Sequence, residues 1–293
     1  MARVTRRHPV LRLTLDGGSR QRADRVAGEE PLEIRLDVPW TVTMRTPGDD
    51  FDLVAGFLVS EGVVSRSSDI AALTYGPGVN PDGTASYNIV DVRLAAGVAP
   101  PDADRARQVY TSSSCGICGT ASIEAVRQTS VFDVAQDPTR IALPELLALP
   151  DRLRAAQRVF DATGGTHAAG LFAVDAKGRT ELMCVREDVG RHNAVDKVVG
   201  WALREGRIPL SSTVLQVSGR ASFELVQKAW MAGIPALAAV SAPSSLAVEL
   251  AEDCGMLLAG FSRGSSVNVY AGAERVTERV PTRTAEAGAG TAR

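Results

Sequence analysis

Nowhere in the 293 residues does an apolar run reach the eighteen positions of a membrane-spanning helix, so the sequence excludes a spanning segment. The first 25 residues also lack an apolar stretch between Arg3, Arg6, Arg7, Arg12, Arg20, Arg22 and Arg25. That argues against a secretory leader and leaves an irregular arm or an early edge strand over Pro9–Leu15. A dominant charge is missing as well, since 32 basic residues face 34 acidic ones for a net of −2, which argues against nucleic acid as a partner. Cysteine is scarce: four residues, Cys115, Cys118, Cys184 and Cys254, are scattered through a core-forming chain. They make no disulfide scaffold, and a cytoplasmic location is the expectation. Walker A and GxGxxG fingerprints are both absent.

What is there fills one large core or two moderate ones, with 45% apolar and 23% charged residues, and the length favours two units. Pro31–Thr46 alternates as two strands joined near Asp37-Val38-Pro39, and Phe51–Ser60 follows as a helix ending at Gly62. Further strands are expected over 71–75 and 86–94, with a surface loop over 95–104, giving a mixed α+β domain across 28–110. After the cysteines come a short helix at 121–126 and a longer one over 141–158 that Pro144 starts or interrupts. A hairpin then joins 170–174 to 181–186. From Asn193, read as the N-cap of a helix over 194–204, strands at 213–217, 236–240 and 256–260 alternate with helices at 223–232 and 245–252. A short strand at 267–270 closes this α/β unit over 121–271. Right-handed crossovers would gather the carboxyl ends of those strands at one sheet edge. Residues 272–293 read as a disordered tail, and 1–27 as a basic arm.

The motif TSSSCGICG, within 111–120, holds Cys115 and Cys118 among small residues suited to a surface loop. Four uses are open. A zinc site would need two more ligands from His167, His192, Cys184 and Cys254. A dithiol redox centre would need a helix start to lower a thiol pKa. Persulfide carriage would need a thiolate on a reaching loop, and a structural pair of buried thiols would need none of these.

Downstream, REDVGRHNAVDK sets Arg191 and His192 just ahead of a helix N-terminus, where oriented N–H groups favour a phosphate. SGRASFE, SAPSS and FSRGSS repeat the pattern at three strand ends, offering Arg220 and Arg263 for phosphate oxygens, Ser244 or Ser245 as caps, and Glu224 for a nucleobase or a first helical turn. In TGGTHAAGLF, His167 stands at a strand entrance beside Gly164 and Gly165, either to bind ligand or to orient the cysteine loop. Three such strand ends predict a large phosphate-bearing ligand.

Together YTSSSCGICG, TGGTHAAGLF, REDVGRHNAVDK, SGRASFE, SAPSSLAVELA and GFSRGSSVNVY, with EEPLEIRLD, MRTPGDDFDLVAGFLVSEG and YNIVDVRL, resemble the formate dehydrogenase accessory proteins, sulfur carriers of the FdhD type, over residues 28–271. The resemblance implies an α/β chain with an N-terminal mixed α+β domain, then a three-layer α/β domain of cytidine-deaminase-like fold, assembled as a homodimer. It implies sulfurtransferase action: persulfide sulfur from a cysteine desulfurase passes to a bis-molybdopterin guanine dinucleotide cofactor, with molybdenum or tungsten, bound for the formate dehydrogenase apoenzyme. Cys115 then resembles the persulfide carrier and Cys118 its assistant. Phe261, Ser262, Arg263, Gly264, Ser265 and Ser266 resemble the cofactor-binding strand end, with Arg191, His192, Arg220 and His167 in the same pocket. A cofactor chaperone without sulfur transfer and a CxxC disulfide oxidoreductase are the alternatives. Leu36–Trp40 departs from the family's usual Asn-Gly turn, and the zinc deaminase signature is absent, so deamination is excluded.

Overall fold

The computed structural model describes residues 4–80, 83–101 and 130–278. Cys115, Cys118, the rest of the 111–120 motif and the helix expected at 121–126 lie outside them. Strands β1 (Thr5–Leu13) and β2 (Ser19–Ala27) form a separate hairpin, so the expected arm is a regular two-stranded element. Strands β3 (Glu30–Leu36), β4 (Val38–Arg45), β5 (Ile70–Tyr75) and β6 (Ile89–Leu94) make a second sheet in the order β4-β3-β6-β5. Leu32, Ile34 and Leu36 are buried, as the period of two in β3 demands. The β3–β4 turn is made by Asp37 in the left-handed region, at φ 61°, a conformation aspartate tolerates better than most residues.

Helix α1 (Asp50–Ser60) lies under that sheet and is shared with the second half of the chain. There, β8 (His167–Val174), β9 (Thr180–Asp188), β10 (Thr213–Val217), β11 (Ala236–Ala239), β12 (Leu257–Arg263) and β13 (Ser266–Ala271) form a six-stranded sheet ordered β13-β12-β11-β10-β8-β9. The expected parallel run is present in β10-β11-β12. Alternation splits its side chains between two cores. Ala169, Leu171, Leu215, Val217, Leu237, Ala239 and Leu258 face α4 (Arg191–Arg204), α5 (Phe223–Met231) and α6 (Ser245–Asp253). Phe172, Val214, Ala236, Ala238, Leu257 and Ala259 face α2 (Leu143–Ala156) on the other side. Helix α3 (Arg158–Thr163) follows α2, with Glu187 accepting from the amides of Val159 and Phe160 at 2.7 Å each.

Several boundaries differ from the sequence reading. The helix expected over 141–158 is three elements: Ile141-Ala142 is strand β7, α2 carries Pro144 in its first turn, where a missing N–H costs nothing, and α3 begins at Arg158. Asn193 is no N-cap. Gly190 holds that position, and Asn193 sits inside α4, donating to Met44 O at 2.8 Å and Asp188 at 3.2 Å. The ordered chain also runs past 271. Strand β14 (Val276–Thr277) pairs in parallel with β7, and buried Arg275 donates to the carbonyls of Val134, Ala135, Asp137 and Gly255.

Helices α1 and α4 cross at two glycines. A Cβ on Gly56 would sit 1.8 Å from Asp196 O, and one on Gly200 would sit 1.7 Å from Asp52 O. Buried polar groups rivet the same junction. Lys197 pairs with Asp188 at 2.8 Å and donates to Thr46 O, while Asp196 accepts from Lys228 and from Ser60. Asp52 holds Arg186 and Arg204. Arg45, fully buried, makes two hydrogen bonds to Asp50 at 3.0 and 3.1 Å. Much of MRTPGDDFD and REDVGRHNAVDK therefore works inside the fold.

Candidate functional site

Strand register assembles the site. Ala169 pairs with Val217, His167 with Asp188, Val217 with Ala239, and Ala238 with Ala259. The start of β8, the end of β9 and the carboxyl ends of β10, β11 and β12 therefore share one edge, as the sequence predicts. Hydrogen bonds lace their extensions together: Ser241 N donates to Gly219 O and Phe261 N to Ser241 O, each at 3.3 Å. Ser218 ties in β8 by accepting from Ala168 N at 2.9 Å.

His167 is half-buried on this edge, with Gly219 against its ring, where a Cβ would come within 3.5 Å of Nδ1. Burial first, then the positive Arg191 and His192, hold its pKa below the ordinary histidine value, against the pull of Asp188. Arg191 and His192 open α4 rather than precede it, and no acidic residue occupies that first turn. Its leading N–H groups have no intrahelical acceptor. Asp188 does not neutralise them, because it points inward to Lys197, Thr46 N, Gly190 N and Asn193. Arg191 Nε is buried with no partner among the described residues.

His192 Nε2 lies 2.6 Å from Glu224 Oε2 and 3.4 Å from Ser222 Oγ. That hydrogen bond holds the Glu224 carboxyl below its usual range. Glu224 stands in the first turn of α5, as the sequence allows, and there it fixes a histidine. The acidic residue opening α5 was visible in the sequence, but its partner 32 positions away was not.

Beyond Gly260, β12 bulges against β13 and keeps its strand character to Arg263. Gly260 allows the close approach of Ser241, whose carbonyl would be 3.0 Å from an added Cβ. The bulge turns Phe261 outward at φ 51° with 41% of it exposed, and tucks Ser262 fully inside, its Oγ without a partner among the described residues. Arg263 is exposed and donates to Val240 O at 3.4 Å. Gly264, at φ 56°, Ser265 and Ser266 form the exposed turn into β13. Arg220 is exposed, and Ser244 caps α6 by accepting from Ala247 N. The edge therefore offers cations, helix N–H groups, two orphan buried polar atoms and close backbone approach, which suit phosphate oxygens.

The remaining described thiols are remote in chemistry from this edge. Burial pushes Cys184 up to about 12 and Cys254 up to about 11. No group of three His, Cys, Asp or Glu side chains able to hold a metal occurs among the described residues. An open cleft of about 380 Å³, lined by Phe132, Asp133, Pro209 and Gly233, lies at the opposite edge of the sheet.

Comparison with known proteins places these features in context. A model of the FdhD/NarQ family matches residues 27–277. The sulfur carrier protein FdhD of Streptomyces coelicolor is 60% identical over 281 residues, covering 95% of this chain and 98% of that protein. Those of Mycobacterium tuberculosis and Sulfurisphaera tokodaii are 58% identical over 260 residues and 42% over 257, covering 87% and 86% of this chain and 93% and 92% of theirs. A crystal structure of a Desulfotalea psychrophila protein, described as a formate dehydrogenase accessory protein, shares the fold at TM-score 0.69 and 24% identity, covering 94% of this chain and all of that one.

Proposed function

The chain belongs to the FdhD/NarQ family, and we propose that it is a sulfur carrier of formate dehydrogenase maturation, receiving persulfide sulfur on Cys115 and passing it to a guanine dinucleotide molybdenum cofactor held at the candidate edge. The observation that carries the cargo half is the pair of buried orphans, Arg191 Nε and Ser262 Oγ, on an edge rich in arginine and free helix amides. Phosphates of the bound cofactor would satisfy them, with Arg191, His192, Arg220, Arg263 and the 261–266 turn as the holding residues and His167 beside them. The metal centre is the cargo, and accepting sulfur is the chemistry it contributes.

Chain length supports the transfer half. Ser130 donates to Trp230 O in the last turn of α5, and Glu224 lies in the first turn of the same helix at the candidate edge. Nine helical residues span about 13 Å. The fifteen residues from Cys115 to Ser130 reach at most about 50 Å, so their length permits delivery to that edge. The Cys115 thiolate attacks the sulfane sulfur of the donor persulfide, the new S–S bond forms, and the desulfurase thiolate leaves. Release of the terminal sulfur as hydrosulfide takes two electrons. Cys118 supplies them by attacking Cys115 Sγ, which leaves a Cys115–Cys118 disulfide. The two-faced helical cover of the six-stranded sheet supports a deaminase-like reading of residues 121–271, beside the mixed domain at 28–110. The resemblance supports a cytoplasmic homodimer.

Incubation with a cysteine desulfurase and cysteine, followed by intact mass analysis, tests this. The expected result is one reductant-labile sulfur on the wild type and none on Cys115→Ala. A wild type that gains no sulfur overturns the carrier reading in favour of a cofactor chaperone. Cycling of the two thiols against a dithiol without sulfur gain marks an oxidoreductase instead.

A further inference from the structure

The β1–β2 hairpin is unusual for what it leaves uncompensated. Among the described residues it pairs with no other strand, and most of its side chains are exposed. Its register sets Arg7 opposite Arg25 and Arg12 opposite Arg20. Like charges directly across a strand pair repel, and an isolated two-stranded hairpin has little stability to spare. Arg6 finds Glu30 and Arg22 finds Asp24, but Arg7, Arg12, Arg20 and Arg25 form no ion pair among the described residues. Residues 1–27 hold seven arginines and two aspartates, so the chain from residue 28 onward carries a net of −7. One element thus concentrates the positive charge of an otherwise acidic molecule.

The hairpin is rooted beside the candidate site. A Cβ on Gly165, two residues before His167, would lie 3.4 Å from Ala27 Cβ, and Gly28 N donates to Val4 O at 2.7 Å. From this root the Arg12–Arg20 pair stands about 23 Å away, too far to share the cargo's phosphates. Leu11, Leu13 and Leu15 are exposed around that pair, and residues 4–27 contain no Phe, Tyr or Trp, with His8 the one ring able to stack on a base. Arginine mixed with exposed aliphatic side chains suits a protein face, whereas single-stranded nucleic acid is gripped by aromatic stacking.

We propose that the β1–β2 hairpin is the docking surface for an acidic face of the apoenzyme that takes the cargo from the neighbouring edge. This rests on the carrier reading for the identity of that acceptor. Electrostatic docking speeds encounter and is weakened by salt.

The test measures binding of cofactor-free formate dehydrogenase to unloaded protein, comparing wild type with Arg12→Glu/Arg20→Glu at 50 and 200 mM salt by biolayer interferometry. Both side chains are exposed, and Arg12→Gln/Arg20→Gln provides a milder partner variant. The expected result is tenfold or greater weakening in the reversed variant, chiefly through the association rate, an intermediate loss in the neutral one, and unchanged sulfur loading from the desulfurase. Unchanged apoenzyme binding overturns the proposal. So does tighter wild-type binding to a single-stranded RNA or to phosphatidylserine vesicles that the reversal abolishes, and so does a loss confined to desulfurase loading. Because docking is read on unloaded protein, a wild type that binds the apoenzyme but never gains sulfur defeats the carrier reading alone.

Discussion

Substituting Gly56 by alanine reverses an ordinary expectation. In a solvent-facing helix the change would add about 1 kcal/mol of stability through propensity. Here the new Cβ would meet Asp196 O at 1.8 Å, Asp196 C at 2.6 Å and Gly200 N at 2.8 Å, all backbone atoms of α4. No rotamer relieves such a clash. Restoring ordinary contact requires α1 and α4 to separate by about 1.6 Å, and a gap of 0.5 to 1 Å already forfeits a quarter to a half of each dispersion contact. Overpacking of this kind costs about 3 kcal/mol, leaving a net loss of about 2 kcal/mol after the propensity gain. For a chain of this size that lowers the melting temperature by about 4 °C, measurable by circular dichroism or scanning fluorimetry. Gly200→Ala, at 1.7 Å from Asp52 O, should behave alike. The double variant should lose less than the two losses combined, because one helix displacement relieves both clashes. A melting temperature that rises or stays put in Gly56→Ala would refute the backbone-contact account, and strict additivity would refute the shared displacement.

Other perturbations probe other parts of the molecule. Arg45→Met should cost about 3–5 kcal/mol in chemical denaturation by stranding buried Asp50, with much of it recovered in Arg45→Met/Asp50→Leu; equal losses in both would count against the ion-pair argument. His167 should titrate below the ordinary histidine range by NMR and move upward when GDP occupies the edge; a titration indifferent to the nucleotide would remove it from the site. Because its folded pKa is depressed, the stability linked to it is complete above about pH 6.5 and is lost as pH falls towards the folded value, and His167→Asn should flatten that limb. Cys184 and Cys254 should resist a thiol reagent in the native protein at neutral pH and react only on unfolding, so that native labelling of all four cysteines would contradict their burial.

Local period and turn chemistry made most of the architecture readable. β3, α1 and the β10-α5-β11-α6-β12 alternation announce themselves because each buries one face or two, and right-handed crossovers then place Ser218, Ser241 and Phe261 together without further information. Long-range satisfaction of polar groups was what the sequence concealed. Asn193 has the chemistry of a cap, yet Met44 O and Asp188 claim its amide, and the helix starts two residues earlier at Arg191. Glu224 is the first-turn acid its position suggests, but its pairing with His192 is written nowhere nearby in the sequence. Ile141-Ala142 scans as helix because its strand partner lies more than a hundred residues away. The cysteine motif is the reverse case: residue types left four uses of it open, and Cys115 and Cys118 lie outside the described residues.

The late position of that strand partner bears on biosynthesis. As the chain leaves the ribosome, Val134–Asp137 and β7 emerge with their carbonyls and one strand edge still waiting for Arg275, Val276 and Thr277. At about 5–20 residues per second the wait lasts from about 7 to 27 s. Contacts between 134–142 and 275–277 therefore form well after the earlier of the segments they join has appeared. Val134–Asp137 and β7 thus wait, with unmet carbonyls and an open strand edge, until the chain has been made as far as Thr277.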